Sequence, residues 1–304
     1  MDSPIASVII PTRNRLQALE RCLDALASQT LPTSSFEVIA VDDGSEPALF
    51  FEPARWASKF ELKLIRQENT GPAGARNRGV FEARGEFLAF TDDDCLPTPT
   101  WLEKLVAALR EKPTAMVGGS TFNGLKNDLF AETSQLILEM VYEHFNRNPA
   151  NAYFFASNNI ACRTDRYLAS GGFDADFDSP AAEDREFCDR WRMQGRPLVW
   201  EKNALIEHRH AQSPTAFCRL HFRYGQGAFL YQAKRKERAS GTMSQDLGFH
   251  RSLPVTVMKK ISPYGFGVRC RLLANLSLWQ VWNALGFFAE WLWYQIRRDN
   301  RPAR

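Results

Sequence analysis

The chain has 304 residues, 44% apolar and 24% charged, with a formal net charge of +3, an ordinary composition for one large domain or a domain with a substantial appendage. Its six cysteines are scattered without a C-x-x-C pair, which argues against a zinc knuckle or a disulfide framework. The N-terminus, MDSPIASVIIPTRN, has no basic and apolar leader pattern, so a cytosolic location is expected. The small net charge conceals an asymmetry: residues 1–218 carry 23 Lys+Arg against 31 Asp+Glu, and residues 219–304 carry 15 against 4. A basic C-terminal part of that kind suits nucleic acid, an anionic membrane surface or an acidic partner.

In chain order, β-branched apolar runs alternate with helical patterns, as in βα units of a mostly parallel sheet. Strands are predicted at ASVIIPT (6–12), FEVIAVDD (36–43), LKLIRQ (62–67) and EFLAFTDDD (86–94). Leu16, Leu19, Leu23 and Leu26 recur at helical spacing, Gly79–Ala83 falls in a second helix, and WLEKLVAALREK forms a third that ends before Pro113. FFASNNIACRTDRYLASGGFDADF reads as a short strand, a helix and a Gly-Gly turn, and EDREFCDRWRMQG as a helix with Phe187 and Trp191 on one face. From about Ser213 the sequence becomes basic and aromatic-rich, then passes through a Gly/Ser/Pro-containing connector to the apolar segment 272–296. The domain boundary is placed near 215.

Ligands of open α/β sheets bind at the carboxyl ends of the strands, and the chemistry-bearing residues of this chain fall there. Asp43, in VDDGS, ends a strand where its carboxylate can accept from a base imide or a ribose; alternatively, Asp42 and Asp43 open an Asp-Gly turn. GPAGARNRG (71–79) sets glycines and guanidinium groups just before a helical segment, an arrangement able to meet a diphosphate. FTDDDCLP crowds three carboxylates together, which is costly unless cations or strong donors neutralise them. On an extended strand Asp92 and Asp94 point to the same side and can share one cation, and an all-oxygen pair suits Mg²⁺ or Mn²⁺.

The order SVIIPTRN, VDDGS, GPAGARNRG, FTDDDCLP resembles that of the inverting family 2 glycosyltransferases of GT-A fold, over roughly residues 5–215. The resemblance implies that Pro11, Thr12, Asp43 and Arg76 contact the nucleotide and that Asp92 and Asp94 form a DxD metal motif. Arg13, Asp42, Gly74, Asn77, Asp93 and Glu183, beside these positions, complete the expected nucleotide and substrate set. SGGFDADFDSPAAEDREFCDRW is similar to the family's acceptor-side segment, which makes Asp184 the catalytic base. An inverting transfer needs a carboxylate opposite the leaving diphosphate, worth on the order of 10² to 10⁴ in rate. Similar enzymes often place a metal- or diphosphate-contacting histidine after the last strand; His208, in IEHRH, is expected there, with His210 able to substitute.

No charge occurs between Arg271 and Glu290, a length at which a membrane helix has to be considered. Asn275, Asn283, Gly286, Glu290 and Arg297 form a narrow polar stripe. Trp279, Trp282, Trp291 and Trp293, with flanking Arg269, Arg271, Arg297 and Arg298, suit a water–lipid boundary. An in-plane or partly inserted helix at the inner face of the cell membrane is favoured over a full span. The competing reading is an apolar helix packed on the catalytic domain or in a homodimer.

The expectation is a GT-A α/β domain over 1–215 and a helical extension over 216–304. It would transfer a sugar, with inversion, from a nucleotide diphosphate sugar, UDP-linked by the family's commonest case. The acceptor is a hydroxyl of a glycan, a lipid-linked glycan or another molecule, the cofactor is Mn²⁺ or Mg²⁺, and no nucleic acid is expected. A nucleotidyltransferase would start from a Gly- and Lys-rich first loop, which PTRNR lacks. An inactive transferase-like adaptor would have a broken acidic set, whereas Asp92, Asp94 and Asp184 are all present.

Overall fold

The computed structural model describes residues 3–50, 54–177, 181–241 and 243–299; the side chains of residues 54, 243–246, 298 and 299, Arg298 among them, lie outside that description. The first half alternates strands and helices: β1 (Ala6–Thr12), α1 (Leu16–Leu26), β2 (Phe36–Asp43), α2 (Ala54–Ala57), β3 (Glu61–Gln67), α3 (Gly71–Phe81), β4 (Phe87–Phe90), β5 (Cys95–Pro97) and α4 (Trp101–Glu111). The second half runs β6 (Met116–Asn123), α5 (Leu129–Phe145), β7 (Ile160–Arg163), α6 (Thr164–Ser170), α7 (Glu183–Met193), β8 (Leu198–His208), α8 (Pro214–Arg238), α9 (Met243–Ile261) and α10 (Phe266–Asp299).

The eight strands form one mixed sheet in the order β3-β2-β1-β4-β7-β6-β8-β5. β1, β2, β3 and β4 run parallel, whereas β7 is antiparallel to both β4 and β6. Alternate side chains of the inner strands enter cores on opposite faces. Val8, Ile10, Val38 and Ala40 pack under α1 and α4 with Leu19, Leu23, Trp101 and Leu105, while Ile9, Ile39 and Val41 join Phe90, Phe187 and Trp191 on the other side. Burial on both faces accounts for the continuous apolar runs of β1 and β2. The carboxyl ends of β1, β2 and β4 then lie side by side, with Thr12 in register with Asp42.

Three local expectations are corrected. β4 stops at Phe90, and residues 91–94 form a turn closed by Cys95 N–H donating to Asp92 O at 3.1 Å. Asp92 and Asp94 are therefore not alternate members of a strand. GPAGARNRG is not a loop before a helix but α3 itself, since Gly71 takes a positive φ and Pro72 supplies the fixed φ suited to the first turn. The Gly/Ser/Pro connector is largely the helix α9, which carries Pro254 in its interior.

The C-terminal helices share the core of the sheet. Phe217 of α8, Phe249 and Leu253 of α9, and Leu272, Leu276 and Trp279 of α10 are buried in the same cluster as Ile9, Phe90 and Leu136. α8 and α10 cross closely at Gly225 and Gly286; a Cβ on Gly286 would collide with Phe222 O, and one on Gly225 with Asn283 O. The charge asymmetry is answered partly inside the molecule. Lys234 pairs with Asp174 at 3.0 Å and Asp176 at 2.5 Å, Arg238 with Glu186 and Asp189, and Lys260 with Glu139 at 2.8 Å. α10 is two-sided: Val281, Leu285, Phe288, Trp291, Leu292 and Trp293 are exposed on it. Among the described residues no helix is long and apolar enough to cross a membrane.

Candidate active site

A cleft of about 1190 Å³ opens over the carboxyl ends of the strands and is walled on its far side by α5, α8, α9 and α10. Pro11, Thr12, Arg13, Asp43, Arg76, Asp92, Asp94, Glu183, Asp184, His208 and His210 all line it. Residues as far apart in sequence as Pro11 and His210 thus converge on one space, because β1, β2, β4 and β8 each end there.

The β2–α3 side of the cleft is set by Asp43. Its Oδ1 accepts from Gln67 Nε2 at 2.7 Å and Thr70 N at 2.9 Å, and its Oδ2 from Gly71 N at 2.9 Å. The carboxylate thereby caps the positive end of α3, so Asp43 fixes the β2–α3 junction as well as facing the cleft. Asp42 turns away: its oxygens accept from Ser45 N at 2.9 Å and Leu49 N at 3.3 Å, which is the turn-forming alternative. Gly74 is a packing position, since a Cβ there would strike Thr70 Oγ1. Asn77 ties α3 to the Gly-Gly-Phe turn, donating to Phe173 O at 2.8 Å and accepting from Phe173 N at 3.0 Å. Asp42, Gly74, Asn77 and Asp93 are not in the cleft lining.

Each of the three successive aspartates meets different partners. Asp93 is fully buried, accepts from Thr12 Oγ1 at 2.7 Å and pairs with Arg15 at 2.8 Å; burial raises its pKa to about 7 against the opposing pull of Arg15. Asp94 contacts Arg15 at 2.7 Å, His210 Nδ1 at 2.8 Å and His208 Nε2 at 3.3 Å. Burial would raise its pKa, but the two histidines and Arg15 hold it well below the usual carboxylate range. Asp92 Oδ1 takes Arg76 Nη2 at 2.6 Å. Arg15 was not foreseen as a site residue; its signal was the second arginine of PTRNR, directly after a strand end.

Arg76 is buried and forms a strut across the cleft, from Asp92 to Glu183 Oε1 at 3.1 Å. It joins the aspartate turn to the first turn of α7, where Asp184 follows. Glu183 and Asp184 both have raised pKa values. Burial leads in each case, opposed by Arg76 at Glu183, which is pushed up to about 7, and by Arg185 at Asp184. A carboxyl group so placed is a better proton acceptor than a free aspartate.

Asp94, Cys95 and His208 bring their ligand atoms within 4.8 Å of one another. His208 stands opposite Cys95 in the β5–β8 pairing. Burial and the nearby aspartates keep the Cys95 thiol well above its ordinary pKa, and the other two members of the group are a carboxylate and an imidazole. Oxygen with one imidazole fits a divalent cation of the Mn²⁺ type better than the oxygen-only preference of Mg²⁺. Asp92 does not join that group.

The topology, with cleft-lining loops at the ends of β1, β2 and β4 and an acidic helix start across the cleft, is that of a GT-A nucleotide-diphospho-sugar transferase fold. Solved structures agree. A mannosyltransferase from Pyrobaculum calidifontis in complex with GDP-Man and Mn²⁺ superposes with a TM-score of 0.60 at 18% identity, covering 94% of this chain and 85% of that one. TarS 1–349 of S. aureus in complex with UDP does so with 0.53 at 16% identity, covering 98% and 93%. The sequence model described as "Glycosyl transferase family 2" matches residues 7–168, over half of the chain, and the chain belongs to that family. Among curated relatives, glycosyltransferase AglE of Haloferax volcanii is 37% identical over 119 residues, 38% of this chain and 39% of that protein. Validoxylamine A glucosyltransferase of Streptomyces hygroscopicus subsp. jinggangensis is 28% identical over 242 residues, 70% and 57% respectively. The chain thus spans less than two thirds of the length of these relatives.

Proposed function

We propose that the chain transfers a sugar, with inversion, from a nucleotide diphosphate sugar to an acceptor hydroxyl. The observation that carries this reading is the Arg76 strut, which links the aspartate turn to the start of α7 and sets Asp184 in the same cleft as Asp94 and His208. Pro11, Thr12, Arg13 and Asp43 border the nucleotide end of that cleft. Asp184 takes the proton of the acceptor hydroxyl as its oxygen attacks the anomeric carbon from the side opposite the diphosphate, and the C–O bond to the diphosphate breaks. Arg76, held between two carboxylates, fixes the distance between donor and base. Asp94 and His208 would hold a divalent cation, Mn²⁺ or Mg²⁺, which when bound supplies charge neutralisation for the departing diphosphate. The Mn²⁺ and nucleotide-sugar complexes of the neighbouring folds support this assignment.

The exposed apolar side of α10 is proposed to rest on an anionic membrane surface, since Trp291, Trp293 and Arg297 crowd its end. The transfer reading is tested with a panel of nucleotide sugars, each with and without Mn²⁺. Metal-dependent release of one nucleoside diphosphate in the presence of an acceptor is expected. Absence of nucleotide binding across the panel would sink the reading.

A further inference from the structure

The far wall of the cleft has a different chemistry from its donor end. α5 presents Ile137, Leu138 and Val141, α10 presents Trp279 and Phe287, and neither helix gives a charged side chain to the lining. Leu247 and Phe288 line the cleft and are also 47% and 63% exposed, so they stand at its mouth. Beyond Phe288, α10 continues with exposed Trp291, Leu292 and Trp293. An apolar path therefore leads from the space containing Asp184 to the outer face of α10. Polar groups interrupt the wall, among them Ser134, Gln135, Arg223, Gln226 and Asn283; two of them, His221, 2% exposed, and Gln280, stand out because His221 Nδ1 and Nε2 and Gln280 Nε2 have no hydrogen-bond partner among the described residues. Burial lowers the His221 pKa to about 4, so its ring is neutral and can donate and accept.

A wholly polar acceptor would leave this wall facing water or sugar hydroxyls, and a buried polar group without a partner is costly. An acceptor with a polar head and an alkyl or isoprenoid chain satisfies both parts. We propose that α5, α8 and α10 form an acceptor subsite for an amphiphile, whose hydroxyl-bearing head lies at Asp184 beside His221 and Gln280 and whose apolar chain leaves past Leu247 and Phe288. The inference rests on the transferase reading and narrows its acceptor to a lipid-linked one.

The test measures binding of hexyl, octyl and decyl maltoside to the full chain by tryptophan fluorescence, each below its micellar concentration. Affinity is expected to rise on the order of tenfold per two methylenes, as for a chain leaving water. Ala284→Trp, at an exposed cleft-lining position of α10, is expected to flatten the series, and Phe288→Ser to weaken decyl more than hexyl binding. Calorimetry of UDP and GDP with Mn²⁺ on the same proteins supplies the control. A flat series in the parent, or a slope that survives Ala284→Trp, overturns the subsite, while retained nucleotide binding would leave the transferase reading standing. Absence of nucleotide binding across the nucleotide-sugar panel, in a parent that shows the slope, overturns the transferase reading instead, and with it the acceptor role.

Discussion

Removing the guanidinium of Arg76 tests the electrostatic architecture of the cleft directly. Arg76→Met keeps the length of the side chain but leaves Asp92 and Glu183 without their shared cation. Their pairs at 2.6 and 3.1 Å involve a side chain that is 3% exposed, with Asp92 at 27% and Glu183 at 7%. Breaking a buried pair costs about 3–5 kcal/mol; water screens the Asp92 half, so a loss of about 3 kcal/mol is expected at pH 8. The sign of its pH dependence follows from Glu183. Its folded pKa, about 7, lies above the free value of about 4.3, so the folded state binds the extra proton between them. Stability from this group is present at low pH and is lost as pH rises toward 7. Without Arg76 that pKa climbs further, so the defect is larger at pH 8 than at pH 5. Urea unfolding of parent, Arg76→Met, Glu183→Gln and the double variant measures this, and the double variant should cost less than the sum of the singles. A defect below about 1 kcal/mol, insensitive both to pH and to Glu183→Gln, would refute the strut.

Asp94→Ala is expected to abolish Mn²⁺-dependent nucleotide binding with the fold retained; calorimetry showing unchanged metal dependence would remove Asp94 from the metal site. Asp184→Asn should keep donor binding and lose on the order of 10² to 10⁴ in turnover, with Glu183→Gln milder; turnover within about threefold of the parent would assign the base elsewhere. In flotation with anionic liposomes, the full chain should rise with the lipid and Trp291→Glu/Trp293→Glu should not, because both side chains lie on the exposed side of α10. A parent that stays in the soluble fraction at low salt would reject membrane contact.

The bounds of β1 and β2 were legible because strands buried on both faces leave unbroken apolar runs. The aspartate turn was not, since an acidic triplet after a strand looks the same whether the strand continues or bends. What decides it is long-range: Thr12 holds Asp93, Arg15 bridges Asp93 and Asp94, Arg76 holds Asp92, and His208 and His210 hold Asp94. The helical start at Gly71 was hidden for a similar reason, its cap being Asp43 on another element. Motif order identified the cleft-lining residues at the strand ends and at the start of α7, but neither their partners nor the wall built by α5, α8, α9 and α10. Nor did local pattern reveal that Lys234, Arg238 and Lys260 spend their charge on the catalytic domain.

The close approach of α8 to the start of α7 has a consequence for the construction of shortened or chimeric enzymes. A Cβ on Gly227 would meet Ala181 O at 2.5 Å, two residues before Glu183, so the backbone that carries Asp184, the proposed base, leans on the C-terminal helix. Cutting the chain near 215 would bare the apolar side of α5 and also remove the surface against which that backbone is set. The catalytic sheet and the C-terminal helices are accordingly expected to melt in a single calorimetric transition, with no intermediate in which a folded donor domain survives alone. Two resolved transitions would show that the base is positioned without them.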